Sequence, residues 1–149
     1  MHVTQEIVEK YLDKWQDMLR LRDWDIRVQI VNTPWRKSGD VKIDFDDKKA
    51  VMLISQTPKS ENLEELVVHE LLHIKLYGLD QLTEQLINLL FGVIQDDPRR
   101  EFAITQFFVL LESTVEDLTK GYLAANGTKE PLSFGRLRRQ IDEELDTGR

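Results

Sequence analysis

Residues 66–74 read Leu66-Val67-Val68-His69-Glu70-Leu71-Leu72-His73-Ile74. The two histidines are four residues apart, so in a helix they stand one above the other on a single face. The residues around them are apolar, which predicts a buried helix. Ionisable groups in such a helix are costly unless they are paired or ligated. Two imidazoles so placed can grip one Zn²⁺ at about 2.0–2.1 Å each. Glu70 is turned about 100° from His69 around the helix axis, so its carboxylate points beside the metal. There it can take a proton from a metal-bound water, whose pKa the ion lowers toward neutrality.

The surrounding pattern predicts where this helix begins and ends. Asn62 with Glu65 three residues on has capping-box spacing, and Gly78 suits the position just past a helix end, so the motif helix is expected over 62–77. Residues 80–95 carry a second helical pattern through Leu82, Leu86, Leu89, Leu90 and Val93. Asp97-Pro98 opens a third helix over 98–124, whose stripe is Ile104, Phe108, Leu111, Val115, Leu118 and Tyr122, and Asn126-Gly127 stops it. A last short helix is expected within 132–146. There Arg136, Arg138 and Arg139 precede Asp142, Glu143, Glu144 and Asp146, a charge run that suits a solvated face.

Upstream, Thr4 can cap a helix over 4–20, with Ile7, Tyr11, Trp15 and Met18 recurring along one side and Val8, Leu12 and Leu19 beside them. The period then drops to two. Trp24, Ile26, Val28 and Ile30 alternate with polar residues until Pro34, Val41, Ile43 and Phe45 form a second alternating run, and Ala50–Ile54 is a third strand after a turn at Asp46–Lys49. The expected fold is α+β: an N-terminal helix, a small three-stranded, mainly antiparallel meander, the motif helix, then further helices. Residues 1–126 read as one domain and 127–149 as a C-terminal tail.

A catalytic zinc site ordinarily has three protein ligands and an open position for water. The chain has no cysteine. His2 is the one other histidine besides His69 and His73, and a chain terminus is a poor place for a rigid ligand. The third ligand is therefore expected to be an acid. Glu112 sits at the edge of the apolar stripe of the 98–124 helix and is the favoured candidate, with Glu101 and Glu116 as alternatives. Glu101 lies in the first turn, where the positive helix end alone explains an acid.

With 20 basic and 27 acidic residues among 149, the net charge is −7. That charge argues against nonspecific nucleic-acid binding. No run of about 18 apolar residues exists to span a bilayer, and the opening residues lack the basic-then-apolar order of an export signal, so the cytoplasm is expected. No phosphate-binding loop, dinucleotide fingerprint or serine-nucleophile motif occurs. Trp15, Trp24 and Trp35 with Phe102, Phe107 and Phe108 read as core.

The His-Glu-x-x-His of residues 69–73, with a downstream glutamate on a second helix, resembles the gluzincin clan of zinc metallopeptidases. The chain length, the element order and the string Glu112-x-x-Val115-x-x-Leu118 resemble its smallest members, the minigluzincins and similar metallopeptidases of prokaryotic and phage genomes. The resemblance covers about residues 24–124. It implies a zincin-like fold, with His69, His73 and Glu112 as zinc ligands and Glu70 as general base, acting on a peptide or protein substrate. It also implies that the last strand before the motif helix, residues 50–55, borders the cleft and pairs with extended substrate. Two departures stand out: a whole helix intervenes between His73 and Glu112, and Lys75 is charged where many relatives are apolar. Tyr77 and Tyr122 are candidates for stabilising an oxyanion.

The competing reading is a catalytically inert, metal-stabilised interaction module; a third is a structural helical domain with an incidental histidine pair. The tail from Thr128 onward is long enough to fold over the cleft and bring one of its acids to the metal.

Overall fold

The computed structural model describes residues 2–94 and 96–147. Met1, Gln95 at the end of the expected 80–95 helix, and residues 148 and 149 of the tail lie outside them. The elements are α1 (Gln5–Met18), β1 (Asp25–Val31), β2 (Gly39–Asp44), β3 (Lys49–Ser55), α2 (Leu63–Phe91), α3 (Pro98–Asn126) and α4 (Gly135–Thr147). The class is α+β, as expected. No helix among the described residues is long and apolar enough to cross a membrane.

α1 begins where the Thr4 hydroxyl accepts the Ile7 N–H, satisfying a donor that has no partner inside the helix. Its buried side is Val8, Leu12 and Trp15, with Leu19 following; Ile7 and Met18 of the expected stripe are exposed. Trp15 belongs to both candidate stripes, and the neighbouring one turns inward.

The sheet departs from a meander. Its order is β1-β3-β2, with β1 parallel to β3 and β2 antiparallel to it. Only the β2–β3 hairpin joins sequence neighbours, through a turn in which Lys48 adopts a positive φ of 50°. Alternation specifies which face of a strand is buried but not which strand lies beside it. The unbroken apolar run Ala50–Ile54 suits a central strand flanked on both sides, and Ala50, Met52 and Ile54 are buried.

α2 is one helix of 29 residues, where two were expected. Gly78 does not end it. One glycine inside a helix costs only about 1 kcal/mol, too little to break an apolar pattern that continues past it. A Cβ at Gly78 would lie 3.2 Å from Phe45 Cζ, so the glycine lets the hairpin tip approach the helix. Phe45 is set there between Trp24 and Tyr77, with ring centroids 6.1 and 6.0 Å away. The helix ends instead at Gly92, whose φ is 75°.

After Gly92 the chain reverses. The Asp97 carboxylate caps α3 by accepting the Arg99 N–H, with Pro98 in the first turn. α3 runs back along α2. The core gathers Val8, Trp15, Met52, Ile54, Val67, Val68, Leu71, Ile74 and Val115. Of the expected α3 stripe only Val115 is buried; Thr119 and Leu123 are buried with it, while Phe108, Leu118 and Tyr122 are exposed. Leu82, Leu86, Leu89, Leu90 and Val93 are exposed too, as is Phe102, which read as core. These residues lie on the distal half of the α2–α3 pair, beyond the reach of the sheet and α1.

The segment after Asn126 is tied to the start of α2. The Thr128 N–H donates to Glu64, the Ser133 N–H donates to Glu65, and the Asn62 amide donates to the Pro131 carbonyl. The tail thus returns to the motif helix before α4 begins.

Candidate metal centre

The antiparallel course of α2 and α3 sets the register of the site. Glu112 lies opposite His73, and Glu116, one turn further along α3, lies opposite His69, one turn back along α2. The two Nε2 atoms are 3.2 Å apart. Glu112 Oε1 is 3.0 Å from His73 Nε2, and Glu112 Oε2 is 3.7 Å from His69 Nε2. Donors bonded tetrahedrally to one ion at 2.0–2.1 Å lie about 3.3 Å from one another. The three side chains therefore stand within a few tenths of an ångström of a ligating arrangement, and they could hold a metal ion. Among the described residues they form the only cluster of this kind.

Glu116 takes a different position from the one expected of it as an alternative ligand. Its Oε1 is 3.0 Å from His69 Nδ1, on the far side of the ring from Glu112. An acceptor there holds the proton on Nδ1 and leaves Nε2 free to ligate. The signal was available as the spacing of Glu112 and Glu116, which repeats that of His69 and His73. Glu101 is exposed near the start of α3 and is not part of the cluster.

Electrostatics bind the group together. The hydrogen bond from His73 draws the Glu112 carboxyl down to about 2; burial opposes this, and the charges of His69, His73 and Arg136 assist it. The hydrogen bond from His69 lowers Glu116 in the same way. Burial works against a charged His69, but the hydrogen bond to Glu116 and the nearby charges of Glu70, Glu112 and Glu116 outweigh it and raise its pKa.

Glu70 is 5% exposed, and burial pushes its carboxyl above the usual range. It lines two cavities, one on each side of the histidine pair. The larger, of about 470 Å³, lies between the first half of α2, residues 36–39 and the start of α4. The smaller, of about 350 Å³, is bounded by β2, His73, Tyr77, Asp80 and Glu112. Gly39 sits beside both; a Cβ there would be 3.4 Å from Glu70 Oε1 and 3.0 Å from Leu66 Cδ1.

The sheet edge beside the site is β2. β3 was expected to border the cleft, but both its sides are hydrogen-bonded to neighbours, so it has no free edge. Of the two tyrosines, Tyr77 lines the smaller cavity, whereas Tyr122 packs edge-on against Trp15, away from both cavities. Asp80, two turns beyond His73, was not singled out in the sequence; its Oδ1 is buried without a hydrogen-bond partner among the described residues, and burial raises its pKa.

The tail reaches the site with the opposite charge from the one expected. Arg136 Nη2 is 2.8 Å from Glu112 Oε2 and 2.9 Å from Glu116 Oε1. Asp142 instead pairs with Lys59 at 3.2 Å. Three glutamates already converge on the histidines, so a cation complements the site where another acid would repel.

No protein-family model matches the chain, and comparison with the curated proteins and with the solved structures returns no match.

Proposed function

We propose that the chain is a zinc-dependent metallopeptidase of gluzincin type with a zincin-like fold, hydrolysing peptide bonds in a peptide or protein substrate. The observation that carries the reading is the triangle of His69 Nε2, His73 Nε2 and Glu112, with separations of 3.0 to 3.7 Å and the buried Glu70 carboxylate alongside. Bound there, Zn²⁺ would supply a Lewis acid for the scissile carbonyl and a water acidic enough to lose a proton near neutral pH.

The chain's own residues then have distinct tasks. Glu70 accepts the proton and returns it to the leaving amine; its raised pKa brings it toward the range in which a base exchanges protons efficiently. Glu116 holds His69 in the ligating tautomer. The β2 edge offers backbone groups for pairing with an extended substrate, and the Tyr77 hydroxyl is the candidate donor to the developing oxyanion.

The test is metal content together with turnover. The purified chain should carry about one zinc and cleave an unfolded protein such as reduced casein, with cleavage lost to a chelator and restored by zinc. Stoichiometric zinc with no cleavage would favour the inert, metal-stabilised module. Arg136, bonded to Glu112 and Glu116, is the feature that favours that second reading. Absence of zinc would remove both.

Glu116 gives a further prediction. Glu116→Ala should weaken zinc binding about 10–100-fold, the usual cost of losing the partner that orients a ligating histidine. Competition against a chromophoric chelator measures it, and unaltered affinity would assign Glu116 no part in the site.

A further inference from the structure

The larger cavity has a charge that the rest of the chain does not. Its wall includes Arg36, Lys59, Lys120, Arg136 and Arg139, five of the 20 basic residues of a chain whose net charge is −7. Only three of the 27 acids line it: Glu65, Glu70 and Glu116. Those three are committed elsewhere. Glu116 holds His69 and Arg136, Glu65 accepts the Ser133 N–H, and Glu70 is the buried group beside the histidines. Among the cations, Lys59 is paired with Asp142 and Arg136 with Glu112 and Glu116. Arg36 and Lys120 are exposed and have no ion pair within 4.0 Å among the described residues.

We propose that this cavity selects peptides with an acidic side chain near the scissile bond, Arg36 and Lys120 receiving the carboxylate. The inference rests on the peptidase reading and names its substrate class. Position supports it: His69 and Glu70 line the same cavity, so a carboxylate held by this wall brings its own backbone toward the metal centre. Leu66, Phe134 and Leu137 add apolar surface against which the stem of a glutamate can lie. An isolated carboxylate suits the site better than a polyanion does, because the remaining surface of an acidic chain repels a long run of phosphates.

The test uses two fluorescent peptides of one unstructured sequence, with glutamate at every third position in one and glutamine in the other. Binding is read by anisotropy on the zinc-loaded full chain carrying Glu70→Gln, and cleavage on the wild type. The glutamate peptide should bind at least 10-fold tighter at low salt, with the advantage shrinking in 0.5 M salt as screening sets in. Reversing both cations, Arg36→Glu with Lys120→Glu, should bring the ratio of the two affinities to within about twofold at unchanged zinc content. Lys10→Glu, a charge reversal on the exposed side of α1, should leave the ratio as it was.

Equal binding of the two peptides overturns the selectivity, and their cleavage at equal rates would do so while leaving the peptidase reading intact. Preferential binding of the glutamate peptide with cleavage of neither keeps the acidic ligand and overturns the peptidase. Tighter binding of a labelled single-stranded oligodeoxynucleotide than of the glutamate peptide overturns the proposal in favour of a polyanion site.

Discussion

Glu70→Gln should lower kcat about 10³-fold, within the range that a positioned proton-transfer group contributes, while the chain still carries one zinc. The two halves of this expectation have different causes. Glutamine has nearly the shape of glutamate but cannot take a proton, so under the proposed mechanism the water would lose its base. Glu70 is not one of the three clustered donors, so the metal loses no ligand. Stability gives a third readout. Burial raises the pKa of Glu70, so folding favours its protonated form over its ionised one. A group raised in this way contributes stability at low pH and loses it as pH rises through the folded value. Glu70→Gln should therefore leave Tm at neutral pH unchanged or higher, the usual mark of a residue kept for activity at the expense of stability. A glutamate serving only to hold the fold would show the reverse, with Tm falling and zinc lost. The measurements are steady-state cleavage, elemental analysis and thermal unfolding on one preparation.

The parts of this architecture that could be read from the sequence are those fixed by local chemistry. Thr4, Asn62 and Asp97 each cap a helix where expected, because a short polar side chain before an apolar periodic run has one favourable use. The histidine pair and Glu112 meet because both helices present them with a one-turn period. The missing parts depended on contacts between distant segments. The strand order turned on which neighbours β3 acquired. Gly78 was read as a stop because glycine usually ends a helix, and only Phe45 packed against it shows its other use. Glu116 has polar neighbours in sequence, Ser113, Thr119 and Lys120, yet its partner His69 lies on another helix. Arg136 belongs to a charge run that carries no local signal of a target. Its target was set by the return of the tail to α2, which sequence periodicity does not encode.

Of the ties that hold this return, the one through the buried Glu64 carboxylate joins the most segments, and removing it should have the largest effect on stability. Glu64 is 1% exposed. Its Oε2 accepts from Lys14 Nζ at 3.0 Å and from the Trp15 indole N–H at 3.1 Å; its Oε1 accepts from the Thr128 N–H at 2.7 Å and from the Thr128 hydroxyl at 3.2 Å. Three segments, α1, α2 and the start of the tail, thus meet on one side chain. Glu64→Ala leaves the buried indole N–H without an acceptor, at a cost of about 1–3 kcal/mol, and removes the charge-assisted bond from the N–H of the exposed Thr128, a loss of about 1.5 kcal/mol. Lys14, about a third exposed, can turn to water. The expected destabilisation is about 3 kcal/mol in urea unfolding at pH 7. The pH dependence separates the charge from the shape. Burial alone would raise the Glu64 pKa, but the Thr128 N–H, the Trp15 indole and Lys14 together hold it below its ordinary 4.5. A carboxylate depressed in this way contributes stability above its unfolded pKa and loses it as pH falls through the folded value. The gap in unfolding free energy between wild type and Glu64→Gln should thus be full at pH 7 and close as pH falls below about 4.5. A gap that stayed constant with pH would mean that the glutamate acts through packing alone. Glu64→Ala also frees Thr128 while Glu65 and Asn62 keep their bonds to Ser133 and Pro131, so the hold of Arg136 on Glu112 and Glu116 should loosen without being lost. Glu64→Ala is then expected to alter zinc affinity from a position outside the His69, His73 and Glu112 cluster, joining the stability of the tail to the candidate metal centre.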